Sequence, residues 1–144
     1  MDIEEKYDKI FKYCYMKIKD KHVAEDLTQE TFLRFFETHK YKDVGKEMAY
    51  LYTISKNLCN DFFRQKPMVE LDENVIDESK IYKHSYIEEA LEKLKEDERE
   101  ILFLRFTNEE SIQDLAEHYG VSRFVINRRI KKALKNLKEV YGDE

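Results

Sequence analysis

The stretch SIQDLAEHYGVSRFVINRRIKKAL, Ser111 to Leu134, decides the fold of the second half of this chain. Apolar residues recur in it every three to four positions on both sides of Gly120, as in two helices joined by a tight turn. Ala116, Gly120 and Ile126 stand at the positions where two such helices cross closely, turn and repack. The stretch therefore predicts a helix-turn-helix of the DNA-binding kind.

Local signals support the boundaries of these two helices. Ser111 with Asp114 three residues later forms a capping-box pattern. Gly120 supplies the positive φ that a tight turn needs, and Ser122 can cap the following helix through its hydroxyl. The last helix is expected to run to about Val140.

The last helix carries a basic face. From Val121 to Lys138 the sequence has seven Lys and Arg residues and no Asp or Glu. Helical spacing predicts that one face would enter a groove: Arg123, Asn127, Arg128 and Lys131. The residues better placed for phosphates are Arg129, Lys132 and Lys135. The packing side consists of Val125, Ile126, Ile130 and Leu134. Arginine pairs with guanine and asparagine with adenine, so this face suits a major groove. The alternative is a basic helix that merely faces solvent. The turn and the caps before it favour DNA binding instead.

A second informative stretch, AEDLTQETFLRFF, runs from Ala24 to Phe36. The helical repeat places Leu27, Thr31 and Phe35 inward, and it turns an acidic, amide-bearing face outward: Glu25, Asp26, Gln29, Glu30 and Leu33. A solvent-exposed acidic face is the ordinary interpretation of such a pattern.

A third helix is predicted from about Lys46 to Gln65. Its buried stripe is Leu51, Ile54, Leu58 and Phe62, and its polar side is Thr53, Lys56, Asn57, Asn60 and Arg64. Tyr50 and Tyr52 lie beside these basic and amide groups, and bases taken out of a duplex stack on aromatic rings. Aromatic residues at helical spacing are more often part of a core, so both interpretations stay open.

Composition indicates an all-α protein. The 144 residues include 3 Gly and 1 Pro, and 40% of them are charged, which leaves too few breakers for a loop-rich β fold. Residues 67–85 are acidic and poorly periodic, starting at Pro67. We therefore expect two small helical domains, residues 1–66 and 86–144, joined by a flexible linker over 67–85.

The net charge of −5 would argue against nucleic-acid binding if the charges were spread evenly along the chain. They are not, because the acidic residues concentrate from Glu88 to Glu100 and the basic ones from Val121 to Lys138.

Several classes of function find no support. Cys14 and Cys59 show no metal-ligand spacing, and the four histidines are scattered, so no catalytic set, metal site or cofactor is expected. No apolar run reaches membrane-spanning length, and the first ten residues lack a signal-peptide layout. A cytoplasmic location is expected.

Together these stretches resemble the sigma factors of bacterial RNA polymerase, of the small two-domain extracytoplasmic-function type, over nearly the whole chain. AEDLTQETFLRFF resembles the polymerase-clamp helix of that family, and AYLYTISKNLCNDFFRQK resembles the helix that reads and opens the −10 element. EREILFLRF with the helix-turn-helix resembles the domain that reads the −35 element.

The resemblance implies partners and residue roles. The partners are core RNA polymerase and promoter DNA; an anti-sigma protein is a further candidate that the sequence does not decide. Polymerase contacts would come from Asp26, Gln29, Glu30 and Leu33. Contacts to the −10 element would come from Tyr50, Tyr52, Lys56, Asn57 and Arg64. Contacts to the −35 element would come from Ser122, Arg123, Phe124, Asn127, Arg128, Arg129, Lys131 and Lys132.

The chain departs from the family pattern at four positions. Tyr50 stands where tryptophan is usual, Lys95 where a Leu-Pro pair is usual, Glu110 where an apolar residue is usual, and Phe124 at a commonly small position. Phe124 beside DNA would read a thymine methyl or shift the docking angle. Two alternatives stay open: a stand-alone helix-turn-helix regulator, and a sigma-like polymerase cofactor that does not melt DNA.

Overall fold

Every regular element among the described residues is helical, as predicted from the composition. The computed structural model describes residues 2–38, 46–65 and 86–142, so the predicted linker lies outside it. The first half contains α1 (Ile3–Ile18), α2 (Lys21–Glu37) and α3 (Glu47–Gln65). The second half contains α4 (Tyr86–Glu92), α5 (Glu96–Leu102), a π-helical turn (Phe103–Thr107), α6 (Ile112–Tyr119) and α7 (Arg123–Gly142).

The first half is a three-helix unit whose corner between α1 and α2 is set by two residues. Lys19 adopts a left-handed conformation at φ 60° and ends α1. Asp20 then caps α2 by accepting hydrogen bonds from the amides of His22 and Val23 at 3.0 and 3.2 Å. Ile10, Tyr13 and Cys14 of α1 are fully buried in the core of this unit.

The helix-turn-helix forms with the predicted caps. The Ser111 hydroxyl accepts from the amide of Asp114 at 3.0 Å, and the Ser122 hydroxyl accepts from the amide of Val125 at 3.2 Å. Gly120 has a φ of 68° and ends α6. Helix α7 is therefore held at a fixed angle to α6 by the turn between them as well as by their packing.

The packing side of α7 differs from the prediction at one position. Ile126, Ile130 and Ala133 are buried, but Leu134 is 40% exposed, so its assignment to the packing side was wrong. The buried positions follow the spacing 126, 130, 133, which is one continuous stripe of an α-helix. Leu134 lies about 40° beyond the edge of that stripe, because it follows Ile130 by four residues at about 100° each.

The two halves pack against each other and share one continuous cluster of buried side chains. Helix α3 lies against α6, and α1 faces α5 and the π-helical turn. At the end of the π-helical turn, the backbone amide of Asn108 donates a hydrogen bond to the carbonyl of Phe103 at 3.1 Å. This places the Asn108 side chain against α1, where it bonds to the carbonyl of Lys9. The sequence predicted both helical halves but not the surface along which they meet.

We predict that Gly120→Ala destabilises the chain by about 1 kcal/mol, because an alanine must adopt the left-handed conformation there. No atom lies within 4 Å of the added methyl group, so backbone strain is the whole effect. Urea denaturation measures it. Gly142→Ala is the matched control, since its added methyl group is equally uncrowded and Gly142 lacks a positive φ; equal effects of the two substitutions would contradict the prediction.

Candidate polymerase and DNA interfaces

The acidic face of α2 is open to solvent. Asp26, Gln29 and Leu33 are exposed, with Leu33 at 58%. Glu30 is half-buried and forms an ion pair with Arg34, Nε to Oε1 at 3.1 Å. The four residues predicted to contact polymerase thus lie on one accessible stripe of the helix.

Phe36 extends this stripe and was not predicted from the sequence. It is 51% exposed, and its ring stacks on that of Phe35 with centroids 5.6 Å apart. Its position three residues after Leu33 is the signal that places it on the same face. Two large apolar side chains beside carboxylates form the kind of mixed patch that protein partners bind.

The residues predicted to contact the −10 element fall into accessible and covered groups. Asn57 and Arg64 are exposed, and Arg64 forms an ion pair with Asp61. Lys56 is partly exposed but points toward the second half. Tyr52 is 2% exposed, so it is part of the core in this structure.

Tyr50, the residue in the usual tryptophan position, is anchored on α2. Its ring packs edge-on against Phe35 with centroids 5.8 Å apart. Its hydroxyl donates a hydrogen bond to the Thr38 hydroxyl at 3.1 Å. These contacts hold the start of α3 to the end of α2.

The residues predicted to contact the −35 element are all exposed: Ser122, Arg123, Phe124, Asn127, Arg128, Arg129, Lys131 and Lys132. Phe124 is 71% exposed, and the Arg128 guanidinium lies 5.9 Å from its ring centroid. An aromatic ring beneath a guanidinium limits the rotamers of the arginine. This face of α7 is open to solvent.

A buried carboxylate lies where the halves meet. Glu100 on α5 is 2% exposed and accepts hydrogen bonds from the hydroxyls of Tyr13 on α1 and Tyr119 on α6, the latter at 2.9 Å. Its carboxylate also pairs with Lys17 at 3.2 Å and with Lys56 at 3.5 Å. Charged and polar groups from three other helices, α1, α3 and α6, therefore converge on the Glu100 side chain.

A second cluster lies between α1 and the segment after the π-helical turn. Glu110, 2% exposed, pairs with Lys9 at 2.9 Å. Asn108 donates from its amide nitrogen to the carbonyl of Lys9 and to the Tyr52 hydroxyl, both at 3.0 Å. Glu110, which stands where the resemblance implies an apolar residue, thus forms an ion pair with the first half. We call the two clusters together the seam.

The seam keeps Glu100 ionised. Burial raises the pKa of Glu100, but Lys17, the Tyr13 hydroxyl, Lys56 and the Tyr119 hydroxyl lower it more, so the net pKa lies below its ordinary value of 4.5. Burial, with the nearby Glu100 charge, raises the pKa of both tyrosines above their ordinary range. The tyrosines therefore remain donors and the carboxylate remains the acceptor at neutral pH.

His118 on α6 lies at the edge of the seam. Its Nδ1 is 3.4 Å from the carbonyl of Ala49 on α3, and its ring packs against Tyr52 and Tyr119. Burial lowers the pKa of His118 below its ordinary value of 6.5, although the Glu100 charge opposes this shift. The neutral imidazole is the form that fits this site.

Two kinds of feature are absent from the described parts of the chain. No three His, Cys, Asp or Glu side chains there come together as a metal site would require. Nor is any helix among them both long enough and apolar enough to cross a membrane.

Family comparisons match both halves. Residues 3–67 match the family described as Sigma-70 region 2, and residues 90–139 match Sigma-70, region 4. The chain is 27% identical to the ECF RNA polymerase sigma factor SigM of Bacillus subtilis, over 99% of this chain and 96% of SigM. It is 27% identical to the ECF RNA polymerase sigma factor BldN of Streptomyces coelicolor, over 95% of this chain but only 58% of BldN.

A solved structure shares the fold. It contains the sigma factor RpoE of Bartonella quintana in complex with the anti-sigma factor NepR. The match has a TM-score of 0.67 at 20% identity, and it covers 94% of this chain and 91% of the other. The likeness extends over both halves, beyond either one alone.

We predict that acid destabilises the chain first through His118. Between the lowered pKa of His118 and pH 6.5, the unfolded chain binds a proton at this histidine and the folded chain does not. The stability that comes from the neutral, buried His118 is therefore complete above pH 6.5 and is lost as the pH falls through the lowered pKa. Glu100 adds a similar loss only below about pH 4.5, its ordinary value.

Urea midpoints at about pH 7.5 and about pH 5.5 check this prediction, because the interval isolates the histidine from the carboxylate. The variant His118→Gln keeps a neutral polar side chain that does not titrate. Its urea midpoint is therefore expected to fall less between the two pH values than the midpoint of the unsubstituted chain. An equal fall in both proteins would assign the acid sensitivity to other groups.

Proposed function

The chain belongs to the sigma-70 family, of the extracytoplasmic-function type, and on that basis we propose that it binds bacterial core RNA polymerase and directs it to specific promoters. The protein acts without chemistry of its own, as a specificity subunit working in the cytoplasm. The observation that carries the proposal is the pairing of two exposed surfaces of different character: the mixed acidic and apolar face of α2, and the basic face of α7.

The two surfaces suit two different partners. The face of α2 combines Asp26 and Gln29 with exposed Leu33 and Phe36, which suits a protein surface carrying basic and apolar groups. The face of α7 presents basic groups and an asparagine with no carboxylate between Val121 and Lys138, which suits the phosphates and base edges of a major groove. The first half would then read the −10 element through α3, beginning with exposed Asn57 and Arg64.

The decisive experiment is reconstituted transcription. Core RNA polymerase from the native host, with and without this chain, would transcribe linear host DNA, and mapping of the 5′ ends would identify chain-dependent start sites. New start sites with shared −10 and −35 sequences support the proposal. Tight, specific DNA binding by the chain alone, without chain-dependent transcripts, would support a stand-alone regulator instead. Transcripts only from templates with a preformed bubble would identify a cofactor that does not melt DNA.

We predict that Asp26→Arg abolishes binding to core polymerase and leaves the fold intact, because the side chain is exposed and makes no core contact. Co-purification with core enzyme and circular dichroism measure the two outcomes. Asp8→Arg is the matched control: it makes the same charge change at an exposed position of α1, where it removes only a surface ion pair with Lys12. Unfolding of the Asp26 variant would show that the residue is structural.

We predict that Arg128→Ala lowers discrimination at one base pair of the −35 element by about 1–3 kcal/mol. Lys132→Ala is the comparison, since a phosphate contact weakens binding to all sequences and lowers the salt slope by about one. Competition binding of holoenzyme to a library of −35 variants measures both. Uniform weakening by Arg128→Ala would place that guanidinium on the phosphate backbone.

A further inference from the structure

Phe124 is an exposed aromatic residue at the start of the basic helix α7. It is the second residue of that helix and is 71% exposed, more than any other large apolar side chain among the described residues. A single exposed apolar side chain is common on protein surfaces and needs no explanation by itself. The groups that surround Phe124 therefore decide whether its ring has a role.

Arg128 lies one helical turn further along α7 and covers the ring of Phe124. Its guanidinium carbon is 5.9 Å from the ring centroid, inside the range of about 6 Å that is typical of cation–π contacts. Residues four apart share a helix face, and helical side chains lean toward the N-terminus of their helix. No carboxylate between Val121 and Lys138 competes for the guanidinium. The ring therefore holds the Arg128 guanidinium near the N-terminal end of α7.

This end of α7 is the part of a helix-turn-helix that meets base edges in DNA complexes. It follows the turn at Gly120 and is capped by Ser122. The exposed neighbours of the ring on this end are basic or polar: Arg123, Asn127 and Arg128. A lone ring among cations and an amide suits phosphates and base edges, whereas protein partners favour a larger apolar patch.

One feature of the major groove fits an apolar ring, and that is the C5-methyl group of thymine. Arginine binds O6 and N7 of guanine in the same groove. The 5.9 Å between guanidinium and ring is shorter than two base-pair steps of about 3.4 Å each. A ring beside a guanine-bound arginine therefore reaches a base pair that is next to that guanine or one beyond it.

We propose that Phe124 and Arg128 read DNA as one unit, in which the ring contacts the methyl group of a thymine within two base pairs of the guanine that Arg128 binds. This rests on the proposed function. The ring is also a positioning residue, because it limits the rotamers of Arg128 before DNA is bound. The −35 element of this chain thus contains a thymine that is recognised through its methyl group.

Replacement of thymine by deoxyuridine tests the methyl contact, since it removes the C5-methyl group and keeps every hydrogen-bonding group. Holoenzyme made from host core polymerase and this chain would bind promoter duplexes with one deoxyuridine at each −35 thymine in turn. We expect affinity to fall about fourfold at one thymine, as for the loss of one buried methyl-sized group. That thymine lies within two base pairs of the position where Arg128→Ala loses discrimination. No fall at any thymine in this range would overturn the proposal.

Variants of Phe124 assign the effect to the ring. Phe124→Ala is expected to fold, since the side chain is exposed, and to bind thymine and deoxyuridine duplexes equally. Phe124→Tyr keeps the ring and should retain the fourfold difference. Tyr141→Ala is the matched control, because it removes another exposed aromatic side chain at the far end of α7. A difference that persists in Phe124→Ala, shown to be folded by circular dichroism, would overturn the proposal.

A double-substitution cycle tests the positioning of Arg128. We expect Phe124→Ala to lower discrimination at the guanine about threefold, as for the loss of an exposed cation–π contact. The same substitution should change nothing further once Arg128 is alanine, because the two side chains act together. Independent, additive effects of the two substitutions would overturn the positioning role.

A parallel deoxyuridine scan separates this proposal from the proposed function. It uses the free chain and duplexes that the chain selects from a random pool. Methyl selectivity of the free chain without chain-dependent transcripts would support the Phe124–Arg128 unit and contradict the proposed function. Chain-dependent transcripts without methyl selectivity would overturn only the unit. Binding without any sequence preference, by both the free chain and the holoenzyme, would overturn both.

Discussion

The Glu100 carboxylate is the constraint on which the arrangement of this molecule depends. An ionised carboxylate is costly to bury unless it is paired and hydrogen-bonded. Among the described residues, its own half supplies the Tyr119 hydroxyl, and the donors Tyr13, Lys17 and Lys56 come from α1 and α3. Glu100 is therefore fully satisfied only when the two halves are in register.

This polar seam fixes the relative position of the two halves more than it adds to the free energy of their contact. Apolar surfaces tolerate sliding, whereas a carboxylate with four donors fixes the relative position of the helices that carry them. Glu110 with Lys9 and Asn108 with Tyr52 add two further points of alignment. The halves thus meet in one arrangement, and apolar side chains of both halves form one continuous cluster there.

The surfaces outside the seam differ from α3 in their exposure to solvent. The face of α2 and the basic face of α7 remain exposed, while the side of α3 that carries Tyr52 and Lys56 does not. Both exposed faces are therefore accessible to partners while the halves are packed together.

The sequence by itself determined the helices and their caps. Spacing and capping chemistry are local, so the turn at Gly120, the caps at Ser111 and Ser122, and the exposed faces of α2 and α7 were all predictable. Leu134 was misplaced because it lies only about 40° from Ile130 around the helix, too little for the apolar pattern to separate a buried position from an exposed one. Only the tertiary structure decided the fate of Tyr52, Glu100 and Glu110. Their partners in the opposite half lie 44 to 101 residues away in sequence, and no local pattern encodes which lysine a given carboxylate meets.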